Sequence, residues 1–200
     1  MDTELVARSR GNLAGRPNVE VVHADGGAHD PGPTCARRAT DWLRGSSRNP
    51  HFMVTIERLR NLAGLATLIA EGGRTGSRFV GRLATEWDSG ANRFDKPGEA
   101  LFVARVDGQP VGVCGLNVDP YTDERRVGRV RHLYVMEVYR RHGIGRRLLA
   151  DVVAAARGPF DRLRLRTTNP EAGRFYEAMG FAPCPEEPDS SHALDLRGKL

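Results

Sequence analysis

From Phe52 onward apolar positions recur densely, and their spacing changes from one stretch to the next. Met53-Val54-Thr55-Ile56 is a short run of β-forming residues. Leu62, Leu65, Leu68 and Ile69 then return at the three- and four-residue spacing of a helix with one buried face, and Gly72-Gly73 predicts its end. Phe79, Leu83, Ala84 and Trp87 predict a second helix. A strand over 100–106 leads into Asp107-Gly108, a strong two-residue hairpin signal, and Val111 to Leu116 returns as its partner. After a polar loop from Asp119 to Arg126, Val127 to Val135 reads as another strand. A glycine-bearing turn follows, then a helix with Leu148, Leu149, Val152, Val153 and Ala156 on one side, closed by Gly158-Pro159. Leu163-Arg164-Leu165-Arg166 alternates as a half-buried strand does. Asn169-Pro170 opens a helix from Glu171 to Met179, which Gly180 ends, and a weak strand is expected at His192 to Leu196. No internal repeat is present. The order is strand, two helices, three strands, helix, strand, helix, strand. The unit from Val127 to Thr167 predicts a parallel strand pair whose glycine turn lies at the carboxyl end of the first strand, where α/β folds bind ligands.

The first fifty residues read differently. Gly26-Gly27-Ala28-His29-Asp30-Pro31-Gly32-Pro33 is turn and breaker chemistry, and Ser46-Ser47-Arg48-Asn49-Pro50 reads as a linker. Residues 5–26 read as helix, turn and strand, with the strand running into Asp25-Gly26. That piece weakly resembles a fragment of a class I S-adenosylmethionine-dependent methyltransferase. One helix–strand unit cannot build a cofactor cleft or cover its own apolar face. Residues 1–50 are therefore expected to be an N-terminal extension, disordered or a fusion remnant, and residues 51–200 an independent domain.

Composition narrows the class. The chain has 200 residues, 40% hydrophobic and 28% charged, enough for a core without covalent staples. No apolar run approaches the ~18 residues of a membrane span, and the N-terminus lacks the pattern of a secretory signal. The three cysteines, Cys35, Cys114 and Cys184, are odd in number and scattered, which fits reduced thiols in a cytoplasm better than a disulfide frame or a zinc site. The six histidines show no metal-ligand spacing, so no metal is expected. The net charge of +5 raises the question of nucleic acid. The arginines are spread along the chain with no compact basic block interleaved with aromatics, so such a partner is not favoured. A basic surface also suits an anionic small molecule.

The sharpest chemical signal is Arg140-Arg141-His142-Gly143-Ile144-Gly145, between a strand and a helix. A helix N-terminus exposes backbone N–H groups and the positive end of a dipole, so anions bind there. Glycines two apart let successive amides approach a pyrophosphate without a Cβ in the way. Arg140, Arg141, Arg146 and Arg147 surround the turn with positive charge. No Gly-Lys-Ser/Thr follows, so this is not a Walker loop, and no third glycine completes a dinucleotide fingerprint. Taken alone, the segment fits an ordinary tight turn into a helix equally well.

It does not stand alone. Leu133-Tyr134-Val135 precedes it, and Asn169 with Phe175-Tyr176-Glu177-Ala178-Met179-Gly180-Phe181 follows. Together these resemble the Arg/Gln-x-x-Gly-x-Gly/Ala loop and the second block of the GNAT (N-acetyltransferase) superfamily, over about residues 54–196. The resemblance implies an α/β fold: a central mixed, mostly antiparallel sheet with a splayed parallel pair, flanked by helices. It implies acetyl-CoA as co-substrate and direct attack on its thioester by a primary amine of a small molecule or peptide. By matched position, Leu133, Tyr134 and Val135 would border the pantetheine, a backbone N–H near Val135 would polarise the thioester carbonyl, and Arg140, Arg141, His142, Gly143, Ile144, Gly145 and Arg146 would form the pyrophosphate loop. Asn169 would lie near the pantetheine, and Tyr176 would protonate the departing thiolate.

The sequence departs from relatives that carry a glutamate base on the fifth strand, since Arg162, Arg164 and Arg166 stand there. Glu137, beside the cofactor strand, is the base candidate; a water relay to a more distant carboxylate is the alternative. The acceptor would lie against the junction from Glu71 to Arg78 and the loop from Cys184 to Ser191, where Glu186, Glu187 and Asp189 would suit a cation. A non-catalytic acyl-CoA-binding or regulatory domain is the second reading, and a homodimer is left open.

Overall fold

The computed structural model describes residues 53–187 and 189–197. The expected extension over residues 1–50, its methyltransferase-like fragment and Cys35 all lie outside the described residues. The elements are β1 (Val54–Leu59), α1 (Ala66–Arg74), α2 (Arg78–Asp88), β2 (Ala100–Val106), β3 (Gln109–Val118), β4 (Val127–Val135), a 3₁₀ turn (Glu137–Tyr139), α3 (Ile144–Ala156), β5 (Arg162–Leu165), α4 (Pro170–Glu177), β6 (Ala182–Pro183) and β7 (His192–Asp195). The elements predicted from residue 53 onward are all present, and the short edge strand β6 and the 3₁₀ turn are additions.

The strands form a seven-stranded sheet in the order β1-β2-β3-β4-β5-β7-β6. Every pairing is antiparallel except β4 with β5. The β2–β3 hairpin turns on Asp107 and Gly108 with φ of +48° and +78°, the left-handed pair that a tight hairpin requires. On one face of the sheet α3 and α4 cover a core of Val130, Leu148, Leu149, Val152, Leu163, Leu165 and Tyr176. On the other, α1 and α2 cover Leu65, Leu68, Phe79, Val80, Leu83 and Tyr134. A layered α/β fold follows, mostly antiparallel with one parallel pair. No helix among the described residues is long and apolar enough to cross a membrane.

Two local expectations need correction. The Gly72-Gly73 pair does not end α1, which runs on to Arg74. Gly72 is there for packing: a Cβ on it would stand 2.8 Å from Val80 Cβ, so the glycine lets α1 and α2 meet closely. The alternation in β5 also does not mark a solvent face. Arg164 is buried like the leucines beside it, at 6% exposed, because Glu187 and Asp189 of the loop after β6 lie on that side.

β4 carries a bulge. Its partners on β3 step from Gly115↔Arg131 to Val113↔Tyr134, so three residues on β4 span two on β3. His132 takes φ +55° there. The extra residue shifts the face alternation: Arg131 and His132 both reach α2, at Glu86 and at the Phe79 carbonyl, and Leu133 then joins the α3 core.

Candidate functional site

The parallel register of β4 and β5 is three pairs long, Val127↔Arg162 to Arg129↔Arg164. β4 then runs six residues further to Val135, whereas β5 ends one residue on at Leu165. From Val130 the β5-facing edge of β4 has no strand beside it. A cavity of about 650 Å³ opens at this end, between β4, the start of α3 and the start of α4.

Ten of the sequence-predicted binding residues line it: Leu133, Tyr134, Val135, Arg140, Arg141, Gly143, Ile144, Gly145, Arg146 and Asn169. They come from two strand-to-helix junctions that the parallel pair sets side by side. Tyr139, Glu171, Ala172, Arg174 and Phe175 complete the wall. The sequence reading missed these five because lining a cavity leaves no motif of its own.

The loop is built as an anion cradle. Arg141 and Gly143 adopt left-handed φ of +67° and +79°, and α3 starts at Ile144 with its first return bond from the Arg147 N–H to the Gly143 carbonyl at 3.1 Å. The amides of the first helical turn, Ile144 to Arg146, have no earlier helical turn to donate to. Gly145 has ordinary helical φ, and a Cβ on it would meet only Phe175 and Val135, at 3.8 Å. Neither backbone strain nor protein packing calls for glycine there; its bare Cα keeps the cavity clear.

The arginines divide. Arg141 and Arg146 are exposed at the mouth. Arg140 turns inward, donating through Nε to the Val135 carbonyl at 3.0 Å, with its guanidinium 5.7 Å over the Tyr134 ring. Arg147 reaches away to the Val54 carbonyl at 2.9 Å. His142 is exposed, its Nδ1 2.7 Å from the Arg140 carbonyl, and is not part of the wall. Asn169 caps α4, its Oδ1 accepting from the Glu171 N–H at 2.8 Å, with Pro170 in the first turn. The cap sets a second helix N-terminus on the same cavity.

Tyr176 and Glu137 lie elsewhere. Tyr176 is 0% exposed, in the core behind Phe175, whose ring meets it edge-on at 5.2 Å. Its hydroxyl is sealed and without a partner. Burial foremost, with Cys114 adding to it, pushes this phenol well above its usual range, so it keeps its proton. The Glu137 side chain is 61% exposed at the surface, 3.9 Å from Arg140, and does not line the cavity.

The acidic loop is largely neutralised. Glu187 pairs with both Arg162 and Arg164, and Asp189 lies 3.8 Å from Arg166. Arginines on β5 and, at Arg166, just past its end therefore hold two of the three carboxylates expected to face a cationic acceptor. No cluster of metal-ligating side chains occurs among the described residues.

Residues 97–183 match a family model described as an acetyltransferase (GNAT) domain. The chain is similar to a crystal structure from Exiguobacterium sp. 255-15 assigned as an acetyltransferase, with 32% identity and TM-score 0.63 over 71% of this chain and 93% of that one. A GNAT-family protein from Desulfovibrio desulfuricans matches at 18% identity and TM-score 0.56, over 72% and 99% of the two chains. An assigned acetyltransferase from Salmonella typhimurium, solved with its cofactor acetyl-CoA, matches at 15% and 0.56, over 73% and 95%. The last two show the fold alone; the first carries sequence likeness across nearly its whole length, and on that basis this protein belongs to the GNAT acetyltransferase family.

Proposed function

We propose that this chain is an N-acetyltransferase that moves an acetyl group from acetyl-CoA to a primary amine by direct attack. The observation that carries this reading is the cavity at the open end of β4, with a glycine on its wall that neither φ nor packing demands. Acetyl-CoA supplies an acyl group already activated as a thioester. The amides from Arg141 to Arg146 would hold its pyrophosphate, helped by Arg141 and Arg146 at the mouth. The unpaired edge of β4 from Val130 to Val135 offers backbone groups to an extended chain, as a sheet edge does to an added strand. A β4 N–H near Val135 would polarise the thioester carbonyl. Tyr176 holds its proton and lies one layer behind the wall. It is the candidate donor to the leaving sulfur, which requires Phe175 to move aside so that the sealed hydroxyl meets the cavity.

The second reading, a non-catalytic acyl-CoA-binding domain, draws on that same burial of Tyr176 and on the absence of a carboxylate from β5. Thiol release over a panel of primary amines separates the two. The expected result is turnover with at least one amine and a drop of about tenfold or more in kcat for Tyr176→Phe. Tight acetyl-CoA binding without turnover, unchanged by that substitution, would favour the second reading. Residues 51–200 are proposed as the catalytic unit, so deletion of residues 1–50 should leave acetyl-CoA affinity unchanged.

A further inference from the structure

The carboxylate tied to the open end of β4 is Glu71, rather than Glu137. It lies near the end of α1 and is 9% exposed. Its Oε1 accepts two hydrogen bonds, from the Tyr134 hydroxyl at 2.9 Å and from the Glu137 N–H at 2.8 Å. Thr75 Oγ1, 3.3 Å from the same hydroxyl, steadies the tyrosine. Tyr134 and Val135 line the cavity and Glu71 does not, so these bonds fix Glu71 on the α1 side of the strand that borders it.

Oε2 is different. It has no hydrogen-bond partner among the described residues, and it is not one of the sealed unpaired polar atoms. No described Lys, Arg or His side chain lies within ion-pair distance of Glu71. A buried carboxylate without a cation is costly, and a cation brought by a ligand recovers that cost. Two donors on Oε1 and none on Oε2 leave one oxygen oriented and available.

We propose that Glu71 docks the acceptor amine: Oε2 receives a hydrogen bond from the substrate ammonium and takes one of its protons. This rests on the N-acetyltransferase reading above. The proton moves from nitrogen to Oε2. The freed lone pair forms the C–N bond, and the C–S bond breaks with its electrons on sulfur. The second nitrogen proton makes good the one that Tyr176 gives the thiolate, and Glu71 returns its proton to solvent. The acceptor class is therefore a basic alkylamine, charged at neutral pH. Tyr134 from β4, Thr75 at the C-cap of α1 and Arg140 over the tyrosine ring are the polar groups around this carboxylate.

The test uses Glu71→Gln, which keeps the shape and an acceptor for both Oε1 donors. Wild type and variant are assayed by thiol release with n-butylamine and with the weakly basic 2,2,2-trifluoroethylamine, and acetyl-CoA affinity is measured by calorimetry. The variant should lose about tenfold or more in kcat/KM for n-butylamine, in KM from the lost docking and in kcat from the lost proton acceptor, and much less for trifluoroethylamine. The n-butylamine deficit should shrink as pH rises toward the amine's own pKa near ~10. Acetyl-CoA affinity should be unchanged, which also checks the fold, and Glu71→Asp should recover part of the loss. An equal loss with both amines, or none with either, overturns the role of Glu71 and leaves the N-acetyltransferase reading standing. A wild-type protein that binds acetyl-CoA but acetylates no primary amine in a wider panel overturns both.

Discussion

Gly145 separates a binding requirement from a folding requirement at one atom. Its φ is helical and its surroundings would accept a Cβ. A carboxylate in the first turn of α3 even suits the helix dipole. Gly145→Asp should therefore leave the thermal midpoint within about a degree or two of wild type, while acetyl-CoA affinity falls by about tenfold or more, because side chain and negative charge would meet the phosphates. Calorimetry beside a melting curve decides it; unchanged affinity in a folded variant would sink the cofactor loop. Glu86 is a second single-residue case. It sits on α2, 3.3 Å from Arg131, 3.4 Å from Arg82 and 3.7 Å from His132. Burial acts to raise its carboxyl, but His132, Arg131 and Arg82 outweigh that and hold it at about 2, against an ordinary 4.5. A depressed carboxyl stabilises the fold above its unfolded pKa, and that stability drains away as pH falls through the folded one. Urea midpoints of wild type should therefore fall between pH 4.5 and 2 by more than those of Glu86→Gln. Parallel curves would show that the cluster contributes nothing.

The contact of α1 with α2 shows why a glycine pair can mislead. Gly72 and Gly73 are adjacent in sequence and opposite in role. A Cβ on Gly72 meets Val80 at 2.8 Å, whereas one on Gly73 meets nothing within 4 Å. Gly73→Ala should stabilise by about 0.5–1 kcal/mol through helix propensity. Gly72→Ala gains the same propensity but drives two Cβ atoms together, and should destabilise by about 1–3 kcal/mol net. Denaturant unfolding of the two variants reads the difference, and equal shifts of one sign would refute the packing account. The bulge in β4 is a second feature of this scale. Period-two patterning predicts a strand over 127–135, and a strand is there. Patterning does not reveal that two neighbouring residues, Arg131 and His132, serve the same face.

At the scale of the molecule, a buried ionic network joins β4, β5, the β3–β4 loop and the 184–191 loop. Asp119, 0% exposed, faces Arg129 at 3.3 Å and Arg164 at 3.5 Å, and Arg129 also donates to the Asp189 carbonyl at 2.8 Å. Burial acts to lower the Arg129 pKa, and Asp119 is the first counterweight. Asp119→Ala would leave Arg129 buried without a carboxylate while Arg164 keeps Glu187, at a cost of about 3–5 kcal/mol. A loss below about 1 kcal/mol in chemical denaturation would show that water replaces the carboxylate. The network also explains why the acidic loop is a poor guide to the acceptor: its charge is largely matched by arginines on and just after β5.

By itself the sequence determined the element order, the hairpin at Asp107-Gly108 and the parallel β4–β5 pair, each written in spacing of apolar positions or in local turn and cap chemistry, which act over a few residues. Ten of the cavity-lining residues came from its resemblance to a known family rather than from that spacing. Only the tertiary structure decided what depends on meetings across the chain. It set Tyr176 in the core behind Phe175 and Glu137 at the surface, turned Arg140 inward, and matched Glu187 to arginines 23 and 25 positions away in the sequence. It also joined Glu71 on α1 to Tyr134 on β4, a pair separated by 63 residues. A carboxylate's role depends on which hydrogen-bond donors and charges surround it, and for Glu71 the fold brings those from another strand.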